Sequence, residues 1–350
     1  MKIRIIDIED NILSDKALIS SCIDKFNDNS RNTYFIVDDN SLLLGSVTRG
    51  DIRRGLLSYA KSDPITKICN PSPFVLNSNI VIGTDIVSQI MELNNIYDIP
   101  KVDSDGILKA IYSGIDGGKP GMLSNTFFIL AGGKGTRMLP LTENIPKPMA
   151  EIDGVPILEH IIIKAKNEGF INFVISLGYL GHLIKDYFKD GSDLGVNISY
   201  VSETRPLGTA GSLSLLDIKE VNYPILVCNG DVISNINFQD LLSFHTKRKS
   251  TATMAVKPFE IQNPFGVLKT ENQKIIDIKE KPIYNSLING GVYVLSKEGH
   301  KIIPKKFFNM TTLFTGLIEK NIDVFAYNMF ENWNDIADVK QLENINSRCK

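Results

Sequence analysis

Residues 126–149 read Thr-Phe-Phe-Ile-Leu-Ala-Gly-Gly-Lys-Gly-Thr-Arg-Met-Leu-Pro-Leu-Thr-Glu-Asn-Ile-Pro-Lys-Pro-Met. The apolar start of this stretch predicts a strand, which leads directly into a turn with three glycines. Glycines let backbone N–H groups approach an anion closely. Arg137 offers a guanidinium fork for phosphate, and Lys147 adds a compact cation behind the turn. The stretch therefore predicts a phosphate-binding turn at the end of a strand.

Neither of the two common phosphate-binding motifs, Gly-x-x-x-x-Gly-Lys-Ser/Thr and Gly-x-Gly-x-x-Gly, occurs here. The order of glycines, Arg137 and Lys147-Pro148 instead resembles the signature of the sugar-1-phosphate nucleotidyltransferases. This resemblance implies a Rossmann-like doubly wound mixed α/β sheet, the nucleotidyltransferase fold. It also implies that the nucleotide is bound by Leu130, Ala131, Gly132, Gly133, Gly135 and Thr136.

The composition is that of a globular protein. Of 350 residues, 43% are hydrophobic and 22% are charged, so two domains with ample core are expected. The formal net charge of −2 disfavours a nucleic-acid or membrane partner, because such binding needs a basic excess. The scattered cysteines are typical of reduced thiols, the N-terminal residues do not resemble a signal peptide, and no long apolar run occurs. We therefore expect a cytoplasmic protein.

The first third of the chain contains an internal repeat. Residues 34–51 and 99–116 share a pattern of two short strands joined by a turn, each preceded by a helical apolar period. At an offset of 65 residues, Thr48 matches Ser113 and Asp51 matches Asp116. Because one copy is too small to bury a core, the two copies are expected to stack on each other.

This repeat resembles an α+β pair of cystathionine-β-synthase-type (CBS) domains over residues 1–118. The resemblance implies that Thr48, Asp51, Ser113 and Asp116 hold the ribose of an adenine nucleotide that regulates the protein. Two alternatives stay open. The pair could serve assembly only, and Asp51 could simply cap a helix predicted over residues 52–60.

Residues 117–121, Gly-Gly-Lys-Pro-Gly, predict a linker, and residues 119–350 are expected to form the nucleotidyltransferase domain. Strand-like runs at 127–130, 173–177, 198–201 and 225–228 alternate there with helix-like runs at 157–168 and 183–188. This alternation predicts parallel βαβ units with the ligand at the carboxyl ends of the strands.

A second glycine-rich turn lies at residues 207–213, and the resemblance implies that Gly208 and Thr209 lie against the nucleobase. Glu203 precedes this turn. A carboxylate only accepts hydrogen bonds, and guanine presents two adjacent donors, whereas uracil and thymine suit an amide. Glu203 therefore favours guanine. The alternatives are that Thr209 caps a helix and that Glu203 is an exposed surface residue.

Asp231 ends an apolar strand in the order Asn-Gly-Asp, where side chains face the ligand crevice of such sheets. Mg²⁺ commonly takes one or two carboxylates together with phosphate oxygens and water. The resemblance adds Asp335 as the second carboxylate, so the expected cofactor is Mg²⁺ held by Asp231 and Asp335. Either aspartate could instead be an ordinary turn residue.

The resemblance also implies a site for the sugar phosphate. Gly266 is expected to contact the sugar through its backbone, Glu280 and Asn289 to bind its hydroxyls, and Lys281 to hold its phosphate. By themselves, residues 279–281 could equally be a solvated run of charges.

The implied reaction joins an NTP and a sugar 1-phosphate to give NDP-sugar and pyrophosphate, with Arg137, Lys147, Asp231 and Lys281 as catalytic residues. A CBS pair before such a domain resembles the glucosamine-1-phosphate guanylyltransferases of bacterial legionaminic acid synthesis. GTP, glucosamine 1-phosphate or a related hexose 1-phosphate, and a homo-oligomer are therefore expected. The alternatives are a mannose-1-phosphate guanylyltransferase, a UTP- or dTTP-using glucose-1-phosphate enzyme, a cytidylyltransferase for another alcohol phosphate, and a nucleotide sensor with an inactive transferase domain.

Overall fold

A computed structural model of the chain describes residues 2–28, 31–79, 82–94, 96–115, 122–336 and 338–348. Contacts divide the chain into two compact units. The N-terminal unit is Met1–Gly121 with Phe330–Asn332, and the C-terminal unit is Met122–Met329 with Trp333–Lys350. The predicted linker at 117–121 lies outside the described residues. In the described ranges no helix is long and apolar enough to cross a bilayer.

The N-terminal unit consists of short strands and helices in two similar groups. In chain order they are β1 (Lys2–Ile6), β2 (Ile12–Ser14), α1 (Ile19–Asp28), β3 (Thr33–Val37), β4 (Leu43–Thr48), α2 (Arg49–Gly55), β5 (Leu76–Asn77), α3 (Thr84–Asn94), β6 (Asp98–Val102) and β7 (Leu108–Ile115). The strands form two sheets, ordered β2-β3-β4 and β1-β7-β6-β5. β6 and β7 begin 65 residues after β3 and β4, which is the offset seen in the sequence.

Helix α2 differs from its prediction at both ends. It begins at Arg49, directly after a capping box made by Thr48 and Asp51, and it ends at Gly55 instead of continuing to residue 60. The Leu57 and Ser58 N–H groups donate to carbonyls only three residues earlier, those of Arg54 and Gly55, so the α-helical hydrogen bonding is interrupted there. The chain turns there instead.

Phe330–Asn332 belongs to the N-terminal unit although it lies far away in the sequence. The Phe330 side chain is part of the core that α1 and β3 build. The buried Glu331 carboxylate accepts a hydrogen bond of 2.6 Å from Arg53 Nη2, and Arg49 Nη1 lies 3.8 Å from it. This unit therefore contains a segment that sequence order does not assign to it.

The C-terminal unit is built around one large sheet. Its elements are β8 (Leu123–Ala131), β9 (Glu151–Ile152), β10 (Val155–Pro156), α4 (Ile157–Asn167), β11 (Phe170–Leu177), α5 (Gly181–Phe188), β12 (Asn197–Ser202), α6 (Gly208–Gly211), β13 (Ile225–Asn229), β14 (Val232–Ser234), α7 (Phe238–Lys247), β15 (Ala252–Gln262), β16 (Val267–Glu271), β17 (Lys274–Lys279), β18 (Ile283–Leu295), α8 (Lys297–Lys301), α9 (Met310–Glu319), β19 (Val324–Asn328), β20 (Trp333–Asp335) and α10 (Val339–Arg348).

The order of this sheet is β12-β11-β8-β13-β18-β15-β19. The first four strands are parallel, and β18 runs antiparallel to both of its neighbours. This is the mixed doubly wound sheet that the sequence predicts. Because β8, β11 and β13 run parallel, the residues that follow them emerge at the same edge of the sheet.

Both faces of β8 are buried. Phe127 and Ile129 pack into the core that also takes residues of α4 and α5, while Phe128 packs with residues of α9 on the opposite face. A strand covered on both faces needs a continuous apolar run, and residues 127–130 supply it. This packing holds the start of the glycine-rich turn in a fixed position.

Candidate active site

A cleft of about 230 Å³ opens where β8 ends. Its lining consists of Leu130, Ala131, Gly133, Gly135, Thr136, Arg137, Lys147, Pro148, Gly230 and Asp231. Most of the predicted nucleotide-binding residues and three of the predicted catalytic side chains are therefore brought together in one place, although Asp231 lies far from the others in the sequence.

Gly135 allows the turn and Lys147, the predicted catalytic lysine, to meet. Its φ is +62°, and a Cβ at this position would lie 2.9 Å from Cβ of Lys147. The Gly135 carbonyl also accepts a hydrogen bond of 2.9 Å from Thr142 Oγ1. Any side chain at Gly135 would therefore strain the backbone and push Lys147 away from the cleft.

Lys147 is buried and forms an ion pair with Asp231. Asp335 lies beside this pair, because β14 and β20 are antiparallel neighbours in which Val232 faces Asp335. The Ile336 N–H also donates to the Asp231 carbonyl at 3.1 Å. Two carboxylates that are remote in sequence are thus held next to each other and next to a buried cation.

The charges around Asp335 suit a metal ion. Burial raises the pKa of Asp335, and the neighbouring Asp231 charge raises it further, while Lys147 and Arg137 act in the opposite direction. A divalent cation held by the two carboxylates would relieve this repulsion, and two carboxylates are a donor set that Mg²⁺ accepts. Within the described ranges, no group of three or more His, Cys, Asp or Glu residues could hold a metal.

Glu203 is half-buried beside the glycine-rich turn. Its Oε1 accepts a hydrogen bond of 2.7 Å from Ser176 Oγ, and its Oε2 accepts one of 2.9 Å from the Leu207 N–H. A Cβ at Gly132 would lie only 2.7 Å from Glu203 Oε1. The carboxylate is therefore held in a fixed position against the turn, unlike that of a freely exposed surface glutamate.

The second glycine-rich turn forms α6, and the side chain of its threonine contacts the start of α9. Thr209 Oγ1 accepts a hydrogen bond of 2.8 Å from the Met310 N–H at the start of α9, while the Thr209 N–H donates to Asn309 Oδ1 at 3.3 Å. Thr209 thus caps α9, not the helix that follows it. Gly208 has a φ of +76° and lies against the same segment.

The predicted sugar-phosphate residues lie on or beside the strands β15 to β18. Gly266 and Glu280 are neighbours, since a Cβ on Gly266 would lie 3.0 Å from Glu280 Oε2. Lys281 is exposed and has a φ of +44°. Asn289 donates to Tyr293 Oη at 2.8 Å and accepts from the Gly291 N–H at 3.0 Å. None of the four predicted residues lines the cleft described above.

In the N-terminal unit, the first Thr/Asp pair caps α2. Asp51 Oδ2 accepts from the Thr48 N–H at 2.8 Å and from Thr48 Oγ1 at 2.6 Å, and Asp51 also pairs with Arg54. These are the contacts expected of a capping residue. Ser113 is buried opposite Asp98 in the pair of strands β6 and β7, and Asp116 lies outside the described residues.

Three side chains support the candidate site without having been predicted. Ser176 holds Glu203, Thr142 holds the Gly135 carbonyl, and Tyr293 holds Asn289. The only signal for Ser176 in the sequence is that it is a polar residue inside an apolar strand. Nothing in the sequence pattern marks Thr142 or Tyr293, because their contacts arise from folding.

A larger groove of about 540 Å³ runs along α4. Its charged side chains are held by the fold, because Lys164 pairs with Glu168 and the Glu168 carboxylate accepts from the Phe238 N–H at 2.6 Å. Its lining has neither glycines nor a second Lys or Arg. The cleft at the end of β8 is therefore the better candidate for phosphates.

Residues 127–350 match the sequence model of the nucleotidyl transferase family. The chain belongs to the nucleotidyl transferase family. The match covers the cleft and the predicted sugar-phosphate residues, and it begins inside β8. The N-terminal unit lies before it, apart from the short segment at residues 330–332.

Individual relatives of this chain carry names of several specificities. A UTP–glucose-1-phosphate uridylyltransferase from Synechocystis sp. is 32% identical over 233 residues, which are 60% of each chain. A D-glycero-alpha-D-manno-heptose 1-phosphate guanylyltransferase from Aneurinibacillus thermoaerophilus is 32% identical over 170 residues, covering 48% of this chain and 74% of that protein. The chain thus spans about 60% of the length of the first curated relatives it matches.

The crystal structure of HddC from Yersinia pseudotuberculosis has a TM-score of 0.51 and 24% sequence identity to this chain. The similarity covers 65% of this chain and 100% of that one. It supports the mixed α/β nucleotidyltransferase fold of the C-terminal unit.

Proposed function

We propose that the protein transfers a nucleoside monophosphate from an NTP to a sugar 1-phosphate and releases pyrophosphate. The observation that carries this proposal is the cleft in which the glycine-rich turn, Arg137, Lys147 and Asp231 meet. Membership of the nucleotidyl transferase family and the names of the relatives support the same class of reaction.

In this reaction an oxygen of the sugar phosphate attacks the α-phosphorus of the NTP, and the bond between the α-phosphorus and the bridging oxygen to the β-phosphorus breaks. The nucleophile is already an anion, so no general base is required. Catalysis then rests on positioning two polyanions in line and on neutralising charge at the α-phosphate.

The roles follow from the charges. Lys147 stabilises the α-phosphate, Arg137 and the N–H groups of the glycine-rich turn hold the departing pyrophosphate, and Lys281 holds the attacking phosphate. Asp231 and Asp335 would hold Mg²⁺, which supplies further positive charge to the phosphates when bound.

For the base, we propose GTP. Glu203 lies against Gly132 of the turn, and each carboxylate oxygen keeps a lone pair beyond the hydrogen bond it already accepts. A fixed acceptor of this kind fits the two adjacent donors of guanine. We propose glucosamine 1-phosphate or a related hexose 1-phosphate as the sugar substrate, on the basis of the resemblance. The product would then serve nonulosonic acid or surface glycan synthesis.

The deciding experiment is an assay of pyrophosphate release by the full chain with Mg²⁺. It uses GTP, UTP, dTTP, CTP and ATP against a panel of sugar 1-phosphates, with choline phosphate as a non-sugar acceptor. We expect turnover with GTP and a hexose 1-phosphate. Turnover confined to choline phosphate, or absent with every pair, would contradict the proposed function.

We also propose that the N-terminal unit is a CBS pair that binds an adenine nucleotide and changes activity. Support comes from the two groups of strands at a 65-residue offset and from the position of Thr48 and Asp51. Coupling between linked sites is commonly about 1–3 kcal/mol, so a change of roughly 5–150-fold in affinity is expected.

Calorimetric titration of AMP, ADP and ATP into the full chain tests this regulation, because the N-terminal unit includes Phe330–Asn332 and a shorter fragment would lack it. Activity is measured in parallel with and without AMP. Absence of binding by all three nucleotides would leave the unit as an assembly module only.

A further inference from the structure

The start of α9 is capped by an exchange of side chains with the second glycine-rich turn. Asn309 directly precedes α9, where an asparagine side chain ordinarily accepts from an N–H group of its own helix. Among the described residues, Asn309 accepts no such hydrogen bond from α9. Its Oδ1 accepts instead from the Thr209 N–H at 3.3 Å, and Thr209 Oγ1 accepts from the Met310 N–H at 2.8 Å. The two segments therefore cap each other.

The backbones of the same two segments are also joined. The Phe308 N–H donates to the Leu207 carbonyl at 2.8 Å. The Phe308 carbonyl accepts from the Ala210 and Gly211 N–H groups, both at 2.9 Å. The turn over residues 207–211 is thus held at both of its ends by residues 308–310, and Asn309 provides the contact in the middle.

The glycines of the turn are required by this support. A Cβ at Gly208 would lie 2.6 Å from Asn309 Oδ1 and 2.8 Å from the Phe308 carbonyl oxygen. A Cβ at Gly211 would lie 2.6 Å from the Lys306 carbonyl oxygen. A side chain at either position would push the turn away from the segment before α9. The small size of Gly208, which the sequence relates to the nucleobase, is therefore already needed for the contact with Asn309.

The position of the turn also determines the position of Glu203. Glu203 Oε2 accepts from the N–H of Leu207, the first residue of the turn, at 2.9 Å. The Leu207 carbonyl is in turn held by Phe308, the neighbour of Asn309. A movement of the turn would therefore move the carboxylate that selects the base in the proposed function, together with Gly208.

We propose that Asn309 is a positioning residue for the nucleobase. It holds the second glycine-rich turn, and through Leu207 the Glu203 carboxylate, in the arrangement that receives the base. This inference rests on the proposed function, because that function places the nucleobase at this turn. Asn309 acts through the Thr209 N–H, so its role requires an oxygen acceptor and does not require the amide N–H₂ group. Aspartate should therefore replace it, and alanine should not.

Calorimetric titration of GTP and UTP into the full chain tests the inference with the variants Asn309→Ala and Asn309→Asp. Asn237→Ala is the matched control, because Asn237 Oδ1 caps α7 by accepting from the Asp240 N–H at 2.8 Å. We expect Asn309→Ala to raise the dissociation constant of GTP roughly threefold to tenfold, the usual effect of one lost hydrogen bond. The affinity ratio between GTP and UTP should fall with it. Asn309→Asp and Asn237→Ala should bind GTP like the wild type.

Steady-state kinetics separate this role from a general loss of folding. In Asn309→Ala the KM for GTP should rise, while the KM for the sugar 1-phosphate stays unchanged. Both alanine variants lose one helix cap, so urea unfolding should show a similar loss of stability in the two. A change in GTP affinity confined to Asn309→Ala then cannot result from lower stability alone.

Hydrogen exchange of the proteins without nucleotide shows whether the turn itself responds. We expect the amides of residues 209–211 to exchange faster in Asn309→Ala, and at the wild-type rate in Asn309→Asp and Asn237→Ala. Unchanged exchange at these amides, unchanged GTP affinity in Asn309→Ala, or equal losses in Asn309→Ala and Asn309→Asp would overturn this inference alone. A wild-type chain that binds neither nucleotide would overturn the proposed function together with it.

Discussion

At the residue scale, Lys147 and Asp231 are the two side chains whose geometry most restricts the chemistry. Both line the same cleft, and they form an ion pair although 84 positions separate them in sequence. A buried pair of this kind could serve the fold alone, so a test must separate stability from turnover.

We expect Lys147→Ala and Asp231→Ala each to lower kcat by roughly 10²–10³-fold, the usual effect of removing one preorganised charge contact from a transition state. Turnover is measured by pyrophosphate release, and folding by thermal unfolding. Lys320→Ala, at the exposed end of α9, is the control.

The double variant separates the two roles. Removing both charges should recover part of the stability lost by either single variant, because no unpaired charge is left, while turnover stays low. If either single variant keeps nearly normal turnover, the role proposed for that residue is wrong.

Glu203→Gln addresses the base. The amide oxygen can still accept from the Leu207 N–H while the amide N–H₂ donates to Ser176 Oγ, so the local fold should survive. We expect wild-type preference for GTP and a loss of roughly tenfold or more in the ratio of kcat/KM between GTP and UTP in the variant, since hydrogen bonds to charged groups carry about 1.5–3 kcal/mol. A wild-type preference for UTP or dTTP would contradict the guanine assignment but not the reaction class.

His245 gives a prediction about pH and stability. Burial lowers the pKa of this histidine to about 4, from 6.5, and its Nδ1 lies 2.9 Å from Thr253 Oγ1. The unfolded chain therefore takes up a proton first as the pH falls. The contribution of His245 to the free energy of unfolding is constant above pH 6.5. It is lost as the pH falls from 6.5 to about 4, where the free energy of unfolding decreases by about 1.4 kcal/mol per pH unit.

The matched variant is His245→Asn, whose amide can keep the contact with Thr253 and does not titrate. Urea unfolding at pH 7, 6 and 5 should show a steeper loss of free energy in the wild type than in the variant. Parallel profiles for the two proteins would show that His245 titrates normally in the fold.

At the element scale, Thr48 and Asp51 at the start of α2 have a clear structural role and are also candidates for ligand binding. Thr48 and Asp51 form a complete capping box, so their spacing needs no nucleotide to account for it. The spacing that suggested ribose binding is thus the spacing that a helix start requires.

Thr48→Ala should lower the free energy of unfolding by about 1 kcal/mol, because the Asp51 N–H loses its acceptor. Thr48→Ser keeps the hydroxyl and should stay close to the wild type. The measurement is urea unfolding, followed by nucleotide titration of both variants. Equal losses in the two variants would indicate that the threonine methyl group, not the cap, stabilises this end of the helix.

At the scale of the whole molecule, the division into units does not follow the order of the chain. Phe330–Asn332 packs in the N-terminal unit, and β20, which carries Asp335, begins at the next residue. A segment near the end of the chain is therefore part of the fold of its beginning.

Glu331→Ala should destabilise the N-terminal unit by about 3–5 kcal/mol, since removing one partner of a buried ion pair is strongly destabilising. Hydrogen exchange of the α1 and α2 amides is the measurement. Asp39→Ala is the control, because Asp39 forms an exposed ion pair with Lys16 in the same unit, and such pairs contribute little. Unchanged amide exchange in Glu331→Ala would mean that the segment Phe330–Asn332 does not stabilise the N-terminal unit.

The sequence alone indicated the nucleotidyl transferase family and the core of the fold. An apolar strand that enters a glycine-rich turn, followed by Arg137 and Lys147, is local information, and so is the alternation of strands and helices from β8 to β13. Local patterns of this kind survive folding because backbone conformation and burial of a single strand depend on neighbouring residues.

Only the tertiary structure decided how distant residues combine. It placed Asp335 beside Asp231 through the pairing of β14 and β20, held Glu203 with Ser176, made Thr209 a cap for α9, and took residues 330–332 into the N-terminal unit. Helix α2 also ended at Gly55 and not at residue 60, at a point where Gly55 lies directly against Ile68. Each of these depends on long-range packing between segments, and no periodicity or spacing along the chain encodes which segments meet.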